Sequence, residues 1–160
     1  MLASPFATPI SVADEELRWR SYSVIDEATA QLVYGVTKSY IVSLDSDGGF
    51  ERRIGFQCND GQSIFTFDLG EFLSASSTDF ELLIWIDDYP LVTLDMRMWS
   101  NGTNGGYSRV EVVAKELFEQ MRAGTRLSWR LGGGAAAADG IFSLIGFTGA
   151  SREFATNCSL

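Results

Sequence analysis

The chain carries 21 aspartates and glutamates, two cysteines and not one histidine, and that inventory bounds its chemistry. Without imidazole there is no Ser-His-Asp or Cys-His nucleophile, no histidine general base and no histidine-ligated zinc. Two thiols cannot complete a four-cysteine metal site. What remains is carboxylate work. Asp87 and Asp88 are adjacent at a strand end, so strand alternation sends them to opposite sides and they cannot share a proton. A glycan-cleaving pair then needs two inward carboxylates facing each other across a cleft, drawn from Asp68, Asp87, Asp88 and Asp95. Asp45, Asp47 and Gly48 have the opening spacing of a calcium loop. They lack the oxygen ligand before the glycine and the closing glutamate, and a hairpin turn accounts for them. No phosphate loop, dinucleotide fingerprint, nucleophile elbow or CxxC pair occurs. The residues give no catalytic group, no metal and no cofactor.

The cysteines have a structural reading. Cys58 alternates in step with Ile54 and Phe56 and shares their inward face, while Ala150, Phe154 and Cys158 fall on one side of a short helix. One inert buried thiol on each element satisfies this pattern. So does a Cys58–Cys158 disulfide, which in an oxidising compartment closes a loop of about 100 residues and contributes up to ~4.7 kcal/mol in the chain-entropy model. A binding surface is suggested elsewhere. Trp85, Asp87, Asp88, Tyr89 and Trp99 gather around one hairpin, and aromatics beside carboxylates are the composition of a hot spot. Core packing competes for Trp85, whereas Trp99 stands at the edge of a glycine-rich loop. In that loop Asn101-Gly102-Thr103 fits a glycosylation sequon, which a turn explains equally well.

Short strands separated by turn residues must position these groups. Residues 17–24 and 31–44 read as strands, and 45–49 as a hairpin. The run carrying Ile54, Phe56 and Cys58 turns at Asn59-Asp60-Gly61, where Asp-Gly supplies positive φ, into a return strand with Phe65, Phe67 and Leu69 on one face. In the next strand Phe80, Leu82, Ile84 and Ile86 alternate, and Leu83 and Trp85 on the other face predict a central strand covered on both sides. Val92, Leu94, Met96 and Met98 mark another. The period then changes: Val110, Val113, Leu117 and Met121 form a helical stripe, with Ser108 and Glu111 at capping-box spacing and Gly124 as its stop. Leu127, Trp129 and Leu131 resume alternation. Residues 132–140 read as a low-complexity loop, and 141–147 as a buried final strand before the short helix. The expected fold is mainly β: an antiparallel β-sandwich or partly open barrel of roughly eight strands, with one packed amphipathic helix and a short C-terminal helix.

Residues 1–13 have no period, contain Pro5 and Pro9, and end in Ser11-Val12-Ala13, the small-x-small close of a secretory signal. They read as a flexible N-terminus or the remnant of a signal segment, ahead of a single β-rich domain over 14–160. The 160-residue chain is 46% apolar, enough for one core, and its net charge of −9 repels phosphate backbones and anionic headgroups. That balance disfavours nucleic acid; surplus acid that keeps the protein soluble accounts for it, and a basic protein partner is the sharper reading. No apolar run approaches the ~20 residues that cross a bilayer.

In order, Trp19, Cys58-Asn59-Asp60-Gly61, Ile86-Asp87-Asp88-Tyr89-Pro90, Trp99-Ser100, the helix, and Phe142-Ser143-Leu144-Ile145-Gly146 before Cys158 form a pattern. It resembles the small exported bacterial proteins that accompany type VI secretion, the VasI/TagO type. Their pattern has an arginine where Trp85 stands and an aspartate where Ser143 stands, so whatever function those two carry is in doubt here. The resemblance implies a periplasmic accessory protein without catalysis, with its cysteines paired. The leading expectation is an exported, non-enzymatic accessory or protein-binding module, linked to a secretion apparatus and acting through the face from Trp85 to Trp99. Two alternatives stand beside it: a carboxylate-dependent hydrolase of cell-wall glycan, and an acidic neutralising or phage-encoded protein that masks a basic target.

Overall fold

The structure is a computed structural model that describes residues 14–42, 49–59, 62–70, 79–98, 105–108, 111–132, 138–158 and 160. The expectations for residues 1–13, the Asp45–Gly48 turn, Asp60-Gly61, Trp99, the Asn101 sequon and the centre of the 132–140 loop lie outside the described residues.

Strand alternation builds most of the molecule. The described residues form ten strands: β1 (Asp14–Glu16), β2 (Arg20–Asp26), β3 (Gln31–Val42), β4 (Phe50–Asn59), β5 (Gln62–Asp68), β6 (Asp79–Ile86), β7 (Val92–Met98), β8 (Gly105–Ser108), β9 (Arg126–Gly132) and β10 (Asp139–Ser143). All pairings are antiparallel in one sheet ordered β1-β3-β4-β5-β8-β7-β6-β9-β10, and β2 pairs with β3 beyond β1 on the same edge. The twelve residues of β3 are long enough to serve both. The sheet curls without closing. This is the mainly β form expected, consistent with an open barrel, with two strands beyond those predicted: β1, ahead of the first predicted strand, and β8.

The inward face is continuous. Val36, Ile54, Phe56, Phe65, Phe67, Leu82, Ile84, Leu94, Met96, Leu127 and Phe142 are all buried there. Helix α1 (Glu111–Ala123) covers it with Ala114, Leu117, Phe118 and Met121, then α2 (Phe147–Ala150) and α3 (Arg152–Cys158) add Phe147, Phe154 and Cys158. Phe56 is the hub, with ring centroids 5.4 Å from Phe65, 5.3 Å from Phe118, 6.1 Å from Phe147 and 6.2 Å from Phe154. The contacts with Phe65 and Phe118 are edge-to-face, a geometry that adds about 1 kcal/mol each to the area they bury, and the other two are tilted. Helix α1 consists of good helix formers, and Arg122 in its last turn suits the helix dipole. It ends before Gly124, for a reason other than a left-handed cap: a Cβ there would lie 2.6 Å from Ile86 and 3.0 Å from an Asp87 oxygen.

Two expectations need correction. The final strand stops at Ser143, Ile141 and Ile145 are 52% and 80% exposed, and Phe147 already belongs to α2. Apolar residues on both sides of that run reflect a turn over the core edge. Strand β6 does lie between β7 and β9, yet its outer residues Leu83 and Trp85 are only half-buried. One face of β6 meets the core, and the other is a surface.

Candidate functional site

The place where the sheet fails to close is held by side chains. On β3, Lys38 points inward and is almost wholly buried. Its Nζ lies 2.7 Å from Glu16 Oε2 and donates to the Ser143 carbonyl at 2.8 Å. Trp19 Nε1 donates to the same carbonyl at 2.9 Å, and the Ser143 N–H donates to Glu16 Oε2 at 2.6 Å. Both polar groups of one backbone unit on β10 are thereby satisfied by the opposite edge. Trp19 also stacks edge-on against Phe147 at 4.8 Å, so the knot is anchored in the core.

Further along the seam lies a groove of about 710 Å³. Tyr40, Arg52, Trp129 and Phe142 line it, with Trp85, Ser128, Arg130 and Ile141. The Arg52 guanidinium lies 5.1 Å from the Trp129 ring centre and 5.2 Å from that of Phe50, which orients it along the groove. Two carboxylates reach the groove: Glu16, committed to Lys38, and Asp139, 3.8 Å from Arg130. Trp129 and Phe142 are nearly fully buried beneath it, so Tyr40, Trp85 and the guanidiniums are the groups that could receive a side chain or a backbone carbonyl.

The sequence-selected residues are dispersed. Trp85 lines the groove. Asp88 and Tyr89 are exposed in the β6–β7 turn. Asp87 is committed to structure: its carboxylate accepts from Thr125 N–H at 2.8 Å, Thr125 Oγ1 at 2.9 Å and Arg126 N–H at 3.1 Å. Those bonds, the Thr125 backbone N–H first, hold its pKa below the ordinary carboxylate value. Asp68 accepts from Gly70 N–H at 3.0 Å, and Asp95 is exposed on β7 opposite Glu81. Neither Asp68, Asp87, Asp88 nor Asp95 lines the seam groove. Among the described residues no group of three or more acidic or thiol ligands could hold a metal ion.

The Cys58–Cys158 disulfide is present, with Cα atoms 5.9 Å apart, and ties α3 to β4 beside Phe56. Both sulfurs are buried.

Sequence reasoning missed a second concavity. On the outer face Arg20, Tyr22, Thr37, Arg53, Gln57 and Thr66 line a trough of about 420 Å³. Tyr22 lies flat over Gly35, whose missing Cβ makes room for the ring. Burial raises the Tyr22 pKa, with Arg53 pulling against it. The signal was available: β3 and β4 each carry an outward glycine in register with a polar or aromatic neighbour. The pairing that assembles them was not. No family model, no curated protein and no solved structure matches this chain. Function is therefore argued from geometry.

Proposed function

We propose that the chain is an exported, non-enzymatic accessory module that binds another protein along the seam groove, with Trp85 as its outer anchor. The observation that carries this reading is the composition of the groove. Its accessible walls are Tyr40, Trp85, Arg52 and Arg130 over a buried floor of Trp129 and Phe142, and its two carboxylates already have cationic neighbours. Tryptophan, tyrosine and arginine dominate binding energy at protein interfaces. The four aspartates a glycan hydrolase would draw on stand elsewhere on the surface, which favours capture over cleavage. Export rests on the disulfide, since such cross-links persist in oxidising compartments. A role beside a secretion apparatus, in the periplasm, follows from the sequence likeness alone. Among the described residues, no helix is long and apolar enough to cross a membrane.

Selection of a displayed peptide library against the oxidised protein tests the groove. Binders should lose about tenfold or more in affinity on Trp85→Ala and on Arg130→Ala, while both variants melt as the parent does. Binders indifferent to both substitutions, or a selection yielding none, would overturn the assignment.

A further inference from the structure

Strand β2 is the outermost strand on its edge, paired with β3 on one side, and its first six residues are exposed. Open edges are normally guarded by lysine, proline, a bulge or an inward charge. The opposite edge is: β10 has only five residues, and its last is tied into the Lys38–Glu16–Trp19 knot. β2 carries charges only at its two ends, Arg20 and Asp26, and none between them. Its sequence, Arg-Ser-Tyr-Ser-Val-Ile-Asp, holds neither lysine nor proline, and Val24 and Ile25 are 51% and 66% exposed.

That sequence is also complementary to itself. Laid antiparallel on a second β2 with Ser23 opposite Ser23, Arg20 faces Asp26 of the second copy and Asp26 faces its Arg20. Between them each Tyr22 stands opposite a Val24 in register, the ring itself leaning over Gly35 toward Gln57 on β4. All four lie on the outer face, because Tyr22 and Val24 are in register with Gly35 and Val33, and Arg20 and Asp26 with Thr37 and Gln31. Opposite-charge and aromatic–β-branched pairs are the favourable cross-strand combinations. A slip of two residues either way sets Tyr22 on Tyr22 or Val24 on Val24 and leaves the charges unmatched. Both charged ends are available. Arg20 has no ion-pair contact among the described residues, its charge acting on Glu51 at longer range, and Asp26 uses Oδ1 to accept from Ala28 N–H at 2.9 Å, leaving Oδ2.

We propose that two copies of this chain join through β2 in an antiparallel, two-fold pairing centred on Ser23, continuing the sheet from one molecule into the next. A two-fold interface of this kind closes on itself and stops at the dimer.

Sedimentation velocity over a wide concentration series tests this with charge reversals. The parent self-associates to a dimer and no further. Arg20→Asp and Asp26→Arg each set like charges opposite one another at both ends, so each variant alone weakens the dimer by about tenfold or more. Mixed together, the two variants regain it, because every acidic position then faces a basic one; the double variant Arg20→Asp/Asp26→Arg also regains it. A register check is independent of affinity. Ser23→Cys cross-links to a covalent dimer on mild oxidation, while Ser21→Cys does not, since its copies stand four residues apart, roughly 13 Å. A parent that stays monomeric throughout, singles that associate as the parent does, a mixture that does not recover, or cross-linking at residue 21 would each overturn the proposal.

Discussion

Asp87 has a positive φ of 46°, a conformation most side chains avoid and aspartate and asparagine tolerate. Its three accepted hydrogen bonds fasten the turn after β6 to the start of β9, so the residue trades a strained backbone for a fixed junction. Because its pKa is lowered in the folded state, the carboxylate contributes stability that is fully present above its ordinary value of 3.8 and is lost as pH falls through the lower folded value. Asp87→Asn keeps the tolerated backbone geometry and removes the charge. Thermal melts across an acid series should show the variant less stable than the parent at neutral pH, with the gap narrowing as the medium turns acidic. A gap constant with pH would mean that the charge contributes nothing. At this scale the type of Asp87 and its place at a strand end were legible in the sequence, while its three donors come from residues nearly forty positions away.

At the scale of elements, the seam decides how the sheet behaves. Glu16 on β1 is the only acidic group within ion-pair distance of buried Lys38 among the described residues, and it also accepts from Ser143 N–H. Glu16→Ala strands a nearly buried ammonium on a single carbonyl. The Glu16 side chain is itself partly exposed, at 29%, which moderates the loss, and a cost of about 2 kcal/mol is expected in denaturant unfolding. An effect within error would show the knot to be incidental. The strands between Ile54 and Met98 were legible because alternation alone defines a half-buried strand. The seam was not. Nothing in the spacing of Glu16, Trp19, Lys38 and Ser143 reveals that a sheet's two edges meet, and the apolar 141–147 run suggested a strand where the chain turns over the core.

Over the whole molecule, the disulfide joins positions separated by 100 residues, and it fastens α3 against β4 and the Phe56 hub. Cys58→Ser should cost about 2–5 kcal/mol of unfolding free energy, the usual loss when a native cross-link is removed. Intact mass of the denatured, unreduced protein after alkylation should show no modified thiol, and two modified thiols would remove both the cross-link and the case for export. The two cysteines could be set on inward faces from periodicity, but the fact that those faces meet belongs to the tertiary structure. The knot at Ser143 extends the same point into time. A ribosome delivers β1 to β8 before residues 141–158, so the early strands emerge ahead of residues that cover their phenylalanines. Only when residues 141–158 arrive can Lys38 find the Ser143 carbonyl and the interior be covered. Any cellular handling of the nascent chain therefore has to shield those phenylalanines until residues 141–158 have emerged.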